Sequence, residues 1–135
     1  MTYDDGTIQA AATELYDEHR SLDALLRTLA HTSERKKLGG LLDGLHNQLH
    51  THIQHEELPG GLYARLGALG ETNEAEVRRL VDEHFRMLSA VRGMAVRVKH
   101  DDEPLAVFQA EIAKLISWIE DHETREHRLA KAATG

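Results

Sequence analysis

Four long stretches of the chain repeat apolar residues every three or four positions, the spacing of one face of an α-helix. The repeats run across residues 8–29, 38–49, 77–98 and 105–129. They predict a first helix from Thr7 to about Ala30 and a second that ends at Pro59-Gly60-Gly61. Two more long helices are predicted after Gly70 and Pro104.

The segments between these helices are short and rich in residues that start or stop helices. Ser33 and Asn73 are predicted to cap the second and third long helices. Residues 62–69 are a short connector with helical character, and residues 130–135 are predicted to fray. No linker or low-complexity segment divides the chain, so we expect a single domain over residues 1–135 with its core in about 7–130.

Four amphipathic helices with short connections are typical of an all-α fold, here an up-down-up-down antiparallel four-helix bundle. Composition agrees with this interpretation, because hydrophobic residues are 41% and charged residues 29% of the chain. Aromatic residues are only 4%, and there are two prolines. A β-sandwich would normally carry more aromatic and β-branched residues and more turns.

Charge and composition also exclude several classes of function. The formal net charge is −7, and the basic run Arg35-Lys36-Lys37 is too short for nucleic-acid binding. The absence of cysteine excludes disulfides, thiolate metal sites and cysteine nucleophiles. No apolar stretch approaches the ~20 residues of a membrane span, and the acidic start lacks the apolar run of a signal peptide. We therefore expect a cytoplasmic protein, a monomer or weak homo-oligomer, that binds neither nucleic acid nor membrane.

Histidine and glutamate interrupt the apolar stripes at a few positions. The first and third long helices each carry one histidine on the stripe, and the second and fourth each carry a His-x-x-x-Glu pair. On a helix that spacing places an imidazole and a carboxylate one turn apart on the same face. Two such side chains can reach one metal ion. The interruptions are His19, His52, Glu56, His84, His122 and Glu126.

These interruptions are predicted to meet at one level of the bundle. In an antiparallel hairpin, residues at the same height lie symmetrically about the turn. When each His-x-x-x-Glu pair is represented by its centre, Gln54 or Thr124, the midpoints between successive helices fall at Lys36 or Lys37, at Leu69 and at Pro104, each in or beside a predicted turn. An error of two residues in a turn would move a side chain by only ~3 Å, at about 1.5 Å per residue.

Ionisable side chains in an apolar core need compensation, because each is costly to bury alone. A metal ion would supply both positive charge and bonds, and a metal-free network of Glu56 and Glu126 with protonated histidines is the alternative. Four imidazoles and two carboxylates without a thiolate suit iron, manganese or zinc. Two metal ions bridged by Glu56 and Glu126, with the four histidines as terminal ligands, is the economical arrangement.

His46, His50 and His127 lie one position off the stripes and are predicted to have no role in the site. Trp118 and Phe85 neighbour the stripes and are predicted to contribute to packing. His55 flanks a stripe and is predicted to be solvated, with a supporting or ligand role as the alternative. Glu57 is predicted to point away from the site.

The order His, His-x-x-x-Glu, His, His-x-x-x-Glu from His19 to Glu126, with the doublet Glu56-Glu57, resembles the hemerythrin-like (HHE cation-binding) domain family. The resemblance implies a four-helix bundle around a non-haem di-iron centre with an oxo, hydroxo or water bridge. It also implies that the ligands of the two Fe ions are His19, His52, Glu56, His84, His122 and Glu126.

The chain departs from the pattern of the oxygen-carrying hemerythrins in two places. The carriers have two histidines four residues apart on the third helix, whereas Leu80 and Leu88 flank His84 here. The carriers end their last motif in His-x-x-x-x-Asp, whereas this chain has His-x-x-x-Glu. A missing histidine leaves a more open iron, which argues against simple reversible oxygen carriage.

We therefore predict a di-iron protein that binds or reacts with a small oxidant, namely dioxygen, peroxide or nitric oxide, at a site of four histidines and two glutamates. The alternatives are a peroxide-dismutating redox enzyme at the same centre, an iron or oxygen sensor, and a zinc-binding structural bundle.

Overall fold

The computed structural model describes residues 5–100 and 102–134, with side chains from residue 8 onward. These residues form the helices α1 (Asp5–Ala30), α2 (Arg35–Glu57), α3 (Leu62–Gly67), α4 (Glu71–His100) and α5 (Leu105–Thr134). No strand occurs in the described ranges, so the prediction of an all-α chain with four long helices is confirmed. None of these helices is long and apolar enough to cross a membrane.

The long helices pack as a bundle. α1 contacts α2 and α5, and α4 contacts the same two helices. Between α1 and α2, Glu18 is hydrogen-bonded to His55, and Ser21 is hydrogen-bonded to Gln48. Residues later in α1 therefore contact residues earlier in α2. Antiparallel neighbours show this pattern. The up-down-up-down order of all four helices stays a prediction.

The starts of two helices differ from those predicted. α2 begins after Glu34, whose backbone is extended and whose side chain makes no capping hydrogen bond, so the predicted Ser33 cap is wrong. α4 begins at Glu71, which places Asn73 inside the first turn rather than at the cap. The acidic Glu71 side chain instead complements the positive end of the helix dipole.

The end of α5 is also longer than predicted. The helix continues to Thr134, so the predicted fraying is wrong for residues 130–134, and Gly135 lies outside the described residues. Ala130 is fully buried, and Leu129 and Ala133 pack against neighbouring apolar side chains. Burial of this apolar surface stabilises the last turns of the helix.

The apolar core is divided into two clusters. The larger cluster is built from α1, α2, α4 and α5 and begins at Leu22 in α1 and at Met87 in α4. The smaller cluster joins the start of α1, α3 and the start of α4, and ends at Leu15 in α1 and at Leu80 in α4. The polar stripe residues of these helices therefore lie between two apolar regions.

The turn between α2 and α3 depends on glycine. Gly60 has a φ of 81°, in the left-handed region that other residues adopt at a cost. A Cβ atom on Gly61 would lie 2.6 Å from the backbone oxygen of His55 and 2.9 Å from that of Glu56. Because no side chain stands in the way, α3 folds back against the end of α2, where Tyr63 and Leu66 become buried.

Candidate metal centre

The stripe residues predicted from the sequence lie together in the interior, between the two apolar clusters. Their exposed fractions range from 1% for Glu126 to 7% for His52. α1 and α4 contribute one histidine each, and α2 and α5 contribute one His-x-x-x-Glu pair each. The members of this candidate metal centre are His19, His52, Glu56, His84, His122 and Glu126.

The candidate centre divides into two groups of potential ligand atoms. In each group, every residue offers one potential ligand atom, and these atoms all lie within 4.8 Å of one another. Glu126 belongs to both groups. The first group is His19, His52, Glu56 and Glu126, and the second is His84, His122 and Glu126. Either group could hold a metal ion.

Both carboxylates span the two groups. Oε1 of Glu56 lies 3.3 Å from Nε2 of His52 and 3.3 Å from Nε2 of His84. Oε1 of Glu126 lies 3.5 Å from Nε2 of His19 and 3.3 Å from Nε2 of His122. Each glutamate therefore faces one histidine of each group. This arrangement is the one that carboxylates bridging a pair of metal ions would need.

Three of the inward-facing histidines donate a hydrogen bond from Nδ1–H to a carboxylate outside the two groups. His84 and His122 donate their Nδ1–H groups to Glu57 and Glu83, at 2.7 Å and 2.8 Å. His52 donates its Nδ1–H to Glu18. A carboxylate partner fixes the tautomer and leaves the Nε2 lone pair directed into the site.

Glu83 is itself anchored by cationic and aromatic neighbours. Arg125 donates to it at 2.7 Å, and the indole Nε1–H of Trp118 donates at 3.3 Å. Burial alone would raise the pKa of Glu83, but the hydrogen bonds from Arg125 and His122 bring that pKa below its usual value. Glu83 therefore stays ionised as a partner for His122.

His19 has a different outer partner. Its Nδ1 lies 2.6 Å from Nε2 of His127, and the two rings are stacked with centroids 4.7 Å apart. The Glu123 carboxylate is 3.6 Å from the same Nδ1. Burial and the nearby Asp23 raise the pKa of Glu123 to about 9. His19 therefore lacks the carboxylate that accepts the Nδ1–H hydrogen bond of the other three histidines.

Tyr63 of α3 reaches the centre of the site. Its hydroxyl donates to Oε2 of Glu126 at 2.6 Å and lies 2.9 Å from Nε2 of His84. The side chain is 3% exposed. Burial and the adjacent Glu126 charge raise the pKa of Tyr63 well above its usual value, so the phenol is neutral where no cation is near.

The charges of the site are poorly balanced by the protein alone. Burial and the Glu126 charge raise the pKa of Glu56 well above its usual value. Burial acts on Glu126 in the same direction, but Glu56 and His19 hold the Glu126 pKa below its usual value. Burial lowers the pKa of His84 to about 3, so this imidazole supplies no positive charge near pH 7. In a metal-free network, His84 would therefore not be one of the protonated histidines.

Several buried atoms of the site also lack a hydrogen-bond partner. Within residues 8–100 and 102–134, both carboxylate oxygens of Glu56 and Nε2 of His122 are of this kind. Buried polar atoms normally find partners, because leaving them unpaired is costly. A cation between the two groups would satisfy all three atoms, and nitrogen and oxygen donors suit iron, manganese or zinc. The residues present therefore fit a metal site.

A cavity of about 430 Å³ connects the surface with the candidate centre. The buried His52 and Glu56 line it on the side of the site, and the exposed Glu14 and His55 line it on the side of solvent. Arg65 of α3 also contributes to the lining. A small polar molecule can therefore approach the first group of candidate ligands.

The structure corrects several predictions about the surrounding residues. Glu57 does not point away from the site, because it accepts a hydrogen bond from His84. His127 is not an uninvolved residue, because it contacts His19. Phe85 is 75% exposed and so contributes little packing. His55 has an exposed side chain, as predicted, and it also donates to Glu18 at 2.7 Å.

Tyr63 and the outer carboxylates Glu18 and Glu83 were not predicted from the sequence. A usable signal existed for the carboxylates, since each lies one position before a stripe histidine of its own helix. That position still faces partly toward the neighbouring helix, where a long carboxylate can reach a partner's histidine. Tyr63 gave no comparable signal, because its position depends on how α3 docks.

Comparison with curated proteins gives no match for this chain. Comparison with solved structures gives none either. The family model described as the hemerythrin HHE cation binding domain matches residues 10–133, which is nearly the whole chain and includes all the candidate ligands. The predicted resemblance is thereby confirmed, and the chain belongs to the hemerythrin HHE cation-binding domain family.

Proposed function

We propose that the protein is a non-haem di-iron protein that binds or reacts with a small oxidant such as dioxygen, peroxide or nitric oxide. The observation that carries this proposal is the sharing of Glu126 between the two groups of candidate ligands, with Glu56 facing a histidine of each. Two-metal sites hold their ions roughly 3.5–4 Å apart, a separation that a carboxylate can bridge. An oxo, hydroxo or water bridge would complete the pair of irons. The proposed terminal ligands are His19, His52, His84 and His122, and the proposed bridges are Glu56 and Glu126.

The choice of iron rests on the donor set and on the family. All candidate donors are imidazole nitrogens and carboxylate oxygens, and the chain has no cysteine. Such donors suit ions of intermediate hardness. Membership of a cation-binding family supports a metal in this position. When bound, iron would supply one-electron redox chemistry that the imidazoles and carboxylates of the site do not provide.

The protein would contribute the orientation and basicity of the imidazoles. Glu18, Glu57 and Glu83 accept Nδ1–H hydrogen bonds and thereby direct three Nε2 lone pairs inward. Such outer partners raise ligand basicity and are worth 10–100-fold, roughly, in metal affinity elsewhere. The asymmetric partner of His19 would make the two halves of the centre unequal.

The protein would also control access to the site. Leu15 and Leu22 in α1 and Ile119 in α5 are nearly fully buried on either side of the polar layer. They exclude bulk water and keep the local dielectric low, which strengthens charge interactions inside. The cavity lined by His52 and Glu56 leaves one route open for a small molecule.

Peroxide dismutation is a second candidate, favoured by the polar lining of that cavity. Glu14, Glu18, His55 and Arg65 would bind water or peroxide more readily than an apolar gas channel would. The reaction converts two molecules of hydrogen peroxide into two of water and one of dioxygen, so it needs no other reductant. Evolution of oxygen from peroxide by the iron-loaded protein separates an enzyme from a passive binder.

The proposal is tested by loading the full chain with ferrous iron in air and recording metal content and absorption. We expect two irons per chain and the near-ultraviolet bands of bridged ferric iron. His122→Gln removes a proposed ligand and should lose iron and the bands together. The matched control is His50→Gln, because His50 is exposed on α2 and outside both groups. A colourless wild-type protein, or zinc in place of iron in the protein as isolated, would overturn the assignment.

A further inference from the structure

We propose that the phenol oxygen of Tyr63 is an additional metal ligand, bound to the ion that His84 and His122 hold. The inference rests on the proposed di-iron function and adds a donor from outside the four long helices. The pattern of stripe residues does not contain it, because Tyr63 lies in the short helix α3.

The geometry places this oxygen among the donor atoms of the second group. It is 2.9 Å from Nε2 of His84 and 2.6 Å from Oε2 of Glu126, and both residues belong to the second group. The Tyr63 ring also stacks on that of His84, with centroids 5.2 Å apart and planes 12° apart. An ion bound by His84 and Glu126 would therefore lie within reach of the phenol oxygen.

The position of the oxygen is fixed by the docking of α3. Leu62 and Leu66 flank Tyr63 in the smaller apolar cluster and are 4% and 0% exposed. α3 contacts all four long helices. The close approach of Gly61 to the end of α2 sets where α3 begins. Tyr63 is thus held by buried neighbours and is not a surface side chain that happens to turn inward.

The chemistry of the second group favours an added oxygen donor. That group offers two imidazoles and one carboxylate, whereas the first offers two imidazoles and two carboxylates. A phenolate is a hard, anionic donor that suits ferric iron, and tyrosine ligates ferric haem in some enzymes. On binding, the O–H bond of Tyr63 breaks, its proton leaves to solvent and no electron is transferred. Oε2 of Glu126 then loses its hydrogen-bond donor and becomes available to the ion.

This assignment makes the two proposed ions different in access. Tyr63 would fill a position on the ion held by His84 and His122. The ion held by His19 and His52 would keep an open position, and His52 and Glu56 line the cavity that leads to solvent. The small oxidant would accordingly meet the ion on the side of His52.

The test uses the visible absorption and resonance Raman spectra of the full chain loaded with ferric iron. The chain has three tyrosines, and Tyr16 lies against His127 outside both groups. In the double variant Tyr3→Phe/Tyr16→Phe, Tyr63 is therefore the only remaining tyrosine. We expect this variant to keep a visible phenolate-to-iron charge-transfer band, with tyrosine ring modes that shift when ring-deuterated tyrosine is supplied. Tyr63→Phe should hold two irons and lack the band.

A wild-type protein that holds two ferric ions without tyrosine ring modes in its resonance Raman spectrum would overturn the inference and leave the di-iron proposal intact. Loss of the modes in Tyr3→Phe/Tyr16→Phe would overturn it as well. Failure to bind two irons at all would instead contradict the proposed function, so the two failures are distinct. The double variant leaves Tyr63 in place and keeps the test decisive even where Tyr63→Phe does not fold.

Discussion

Each imidazole of the candidate centre has a polar partner at its Nδ1 atom, and the kind of partner differs between the four histidines. Three histidines donate to carboxylates, and the fourth, His19, meets the imidazole of His127. An ionised carboxylate makes its histidine a stronger donor to a metal, whereas a neutral imidazole does so less. The outer residues should therefore tune the centre without touching a metal themselves.

Glu57→Gln tests this role at one histidine. The change keeps the size of the side chain but removes the charge that His84 faces at 2.7 Å. We expect iron affinity to fall by about 10–100-fold, measured by competition with a chelator of known affinity.

The matched control for Glu57→Gln is Glu74→Gln. Glu74 is exposed on α4 and pairs only with Arg78 among the partners that the structure gives for it, and exposed pairs contribute little. The iron affinity of the Glu74→Gln protein should equal that of the wild type. Equal affinities for all three proteins would refute the role given to Glu57.

Glu56 should have opposite effects on metal binding and on the stability of the metal-free protein. Without metal, burial and the Glu126 charge disfavour ionised Glu56. Glu56→Gln removes that penalty, so we expect the metal-free variant to be more stable than the metal-free wild type at pH 7 by roughly 1–3 kcal/mol. Urea unfolding in the presence of a chelator measures the difference.

The same Glu56→Gln protein should bind iron much more weakly than the wild type, because it lacks a proposed bridging carboxylate. Elemental analysis after iron loading checks this second half. A metal-free variant less stable than the wild type would show that Glu56 is stabilised by the fold itself and not by a metal.

Among the individual residues of the site, those that follow helical periodicity were predicted from the sequence, and those that do not follow it were missed. The six candidate ligands occupy stripe positions, so the 3.6-residue repeat together with their residue types, His and Glu, selects them. Glu57 and His127 directly follow the stripe residues Glu56 and Glu126, so helical periodicity places their side chains beside the stripe and not on it. Whether such a side chain meets a neighbour depends on the separation of the helices, which no local pattern contains.

At the scale of helices, α3 shapes the site although it has only six residues. It closes the smaller apolar cluster and carries Tyr63 to Glu126. Its direction follows from Gly60 and Gly61, which allow the chain to turn tightly after α2. The short connector is therefore part of the candidate centre as well as a link.

Gly61→Ala should displace α3. The added Cβ would lie 2.6 Å from the backbone oxygen of His55, which cannot move aside as a flexible side chain could. We expect a loss of about 1–3 kcal/mol in the free energy of unfolding, measured by urea unfolding.

Gly40→Ala provides the comparison, because nothing lies within 4 Å of a Cβ at this position in α2. Alanine in a helix interior is favoured over glycine by roughly 0.5–1 kcal/mol, so this variant should be more stable than the wild type. A Gly61→Ala protein as stable as Gly40→Ala would contradict the account of the turn.

The existence of the helices was predictable from the sequence, but their ends were less so. Long apolar repeats identify α1, α2, α4 and α5. Ser33 and Asn73 are good capping residues that the folded chain does not use at those positions. The last turns of α5 form because Ala130 is buried against other helices, a tertiary effect that composition near the end does not reveal.

For the whole molecule, the main feature is a polar layer between two apolar clusters. The clusters supply the hydrophobic stabilisation of the fold, whereas the layer between them holds acidic and imidazole groups that the protein alone does not fully satisfy. A metal that binds only the folded chain would stabilise it by mass action. Membership of a cation-binding family agrees with a metal in this layer, and we propose that the layer holds two irons.

The most direct test of that claim is a crystal structure of the iron-loaded protein with anomalous diffraction measured on both sides of the iron absorption edge. We expect two anomalous peaks roughly 3.5–4 Å apart, one between His19 and His52 and the other between His84 and His122, with Glu126 reaching both. A single peak, peaks that do not respond to the iron edge, or no peak in this layer would contradict it.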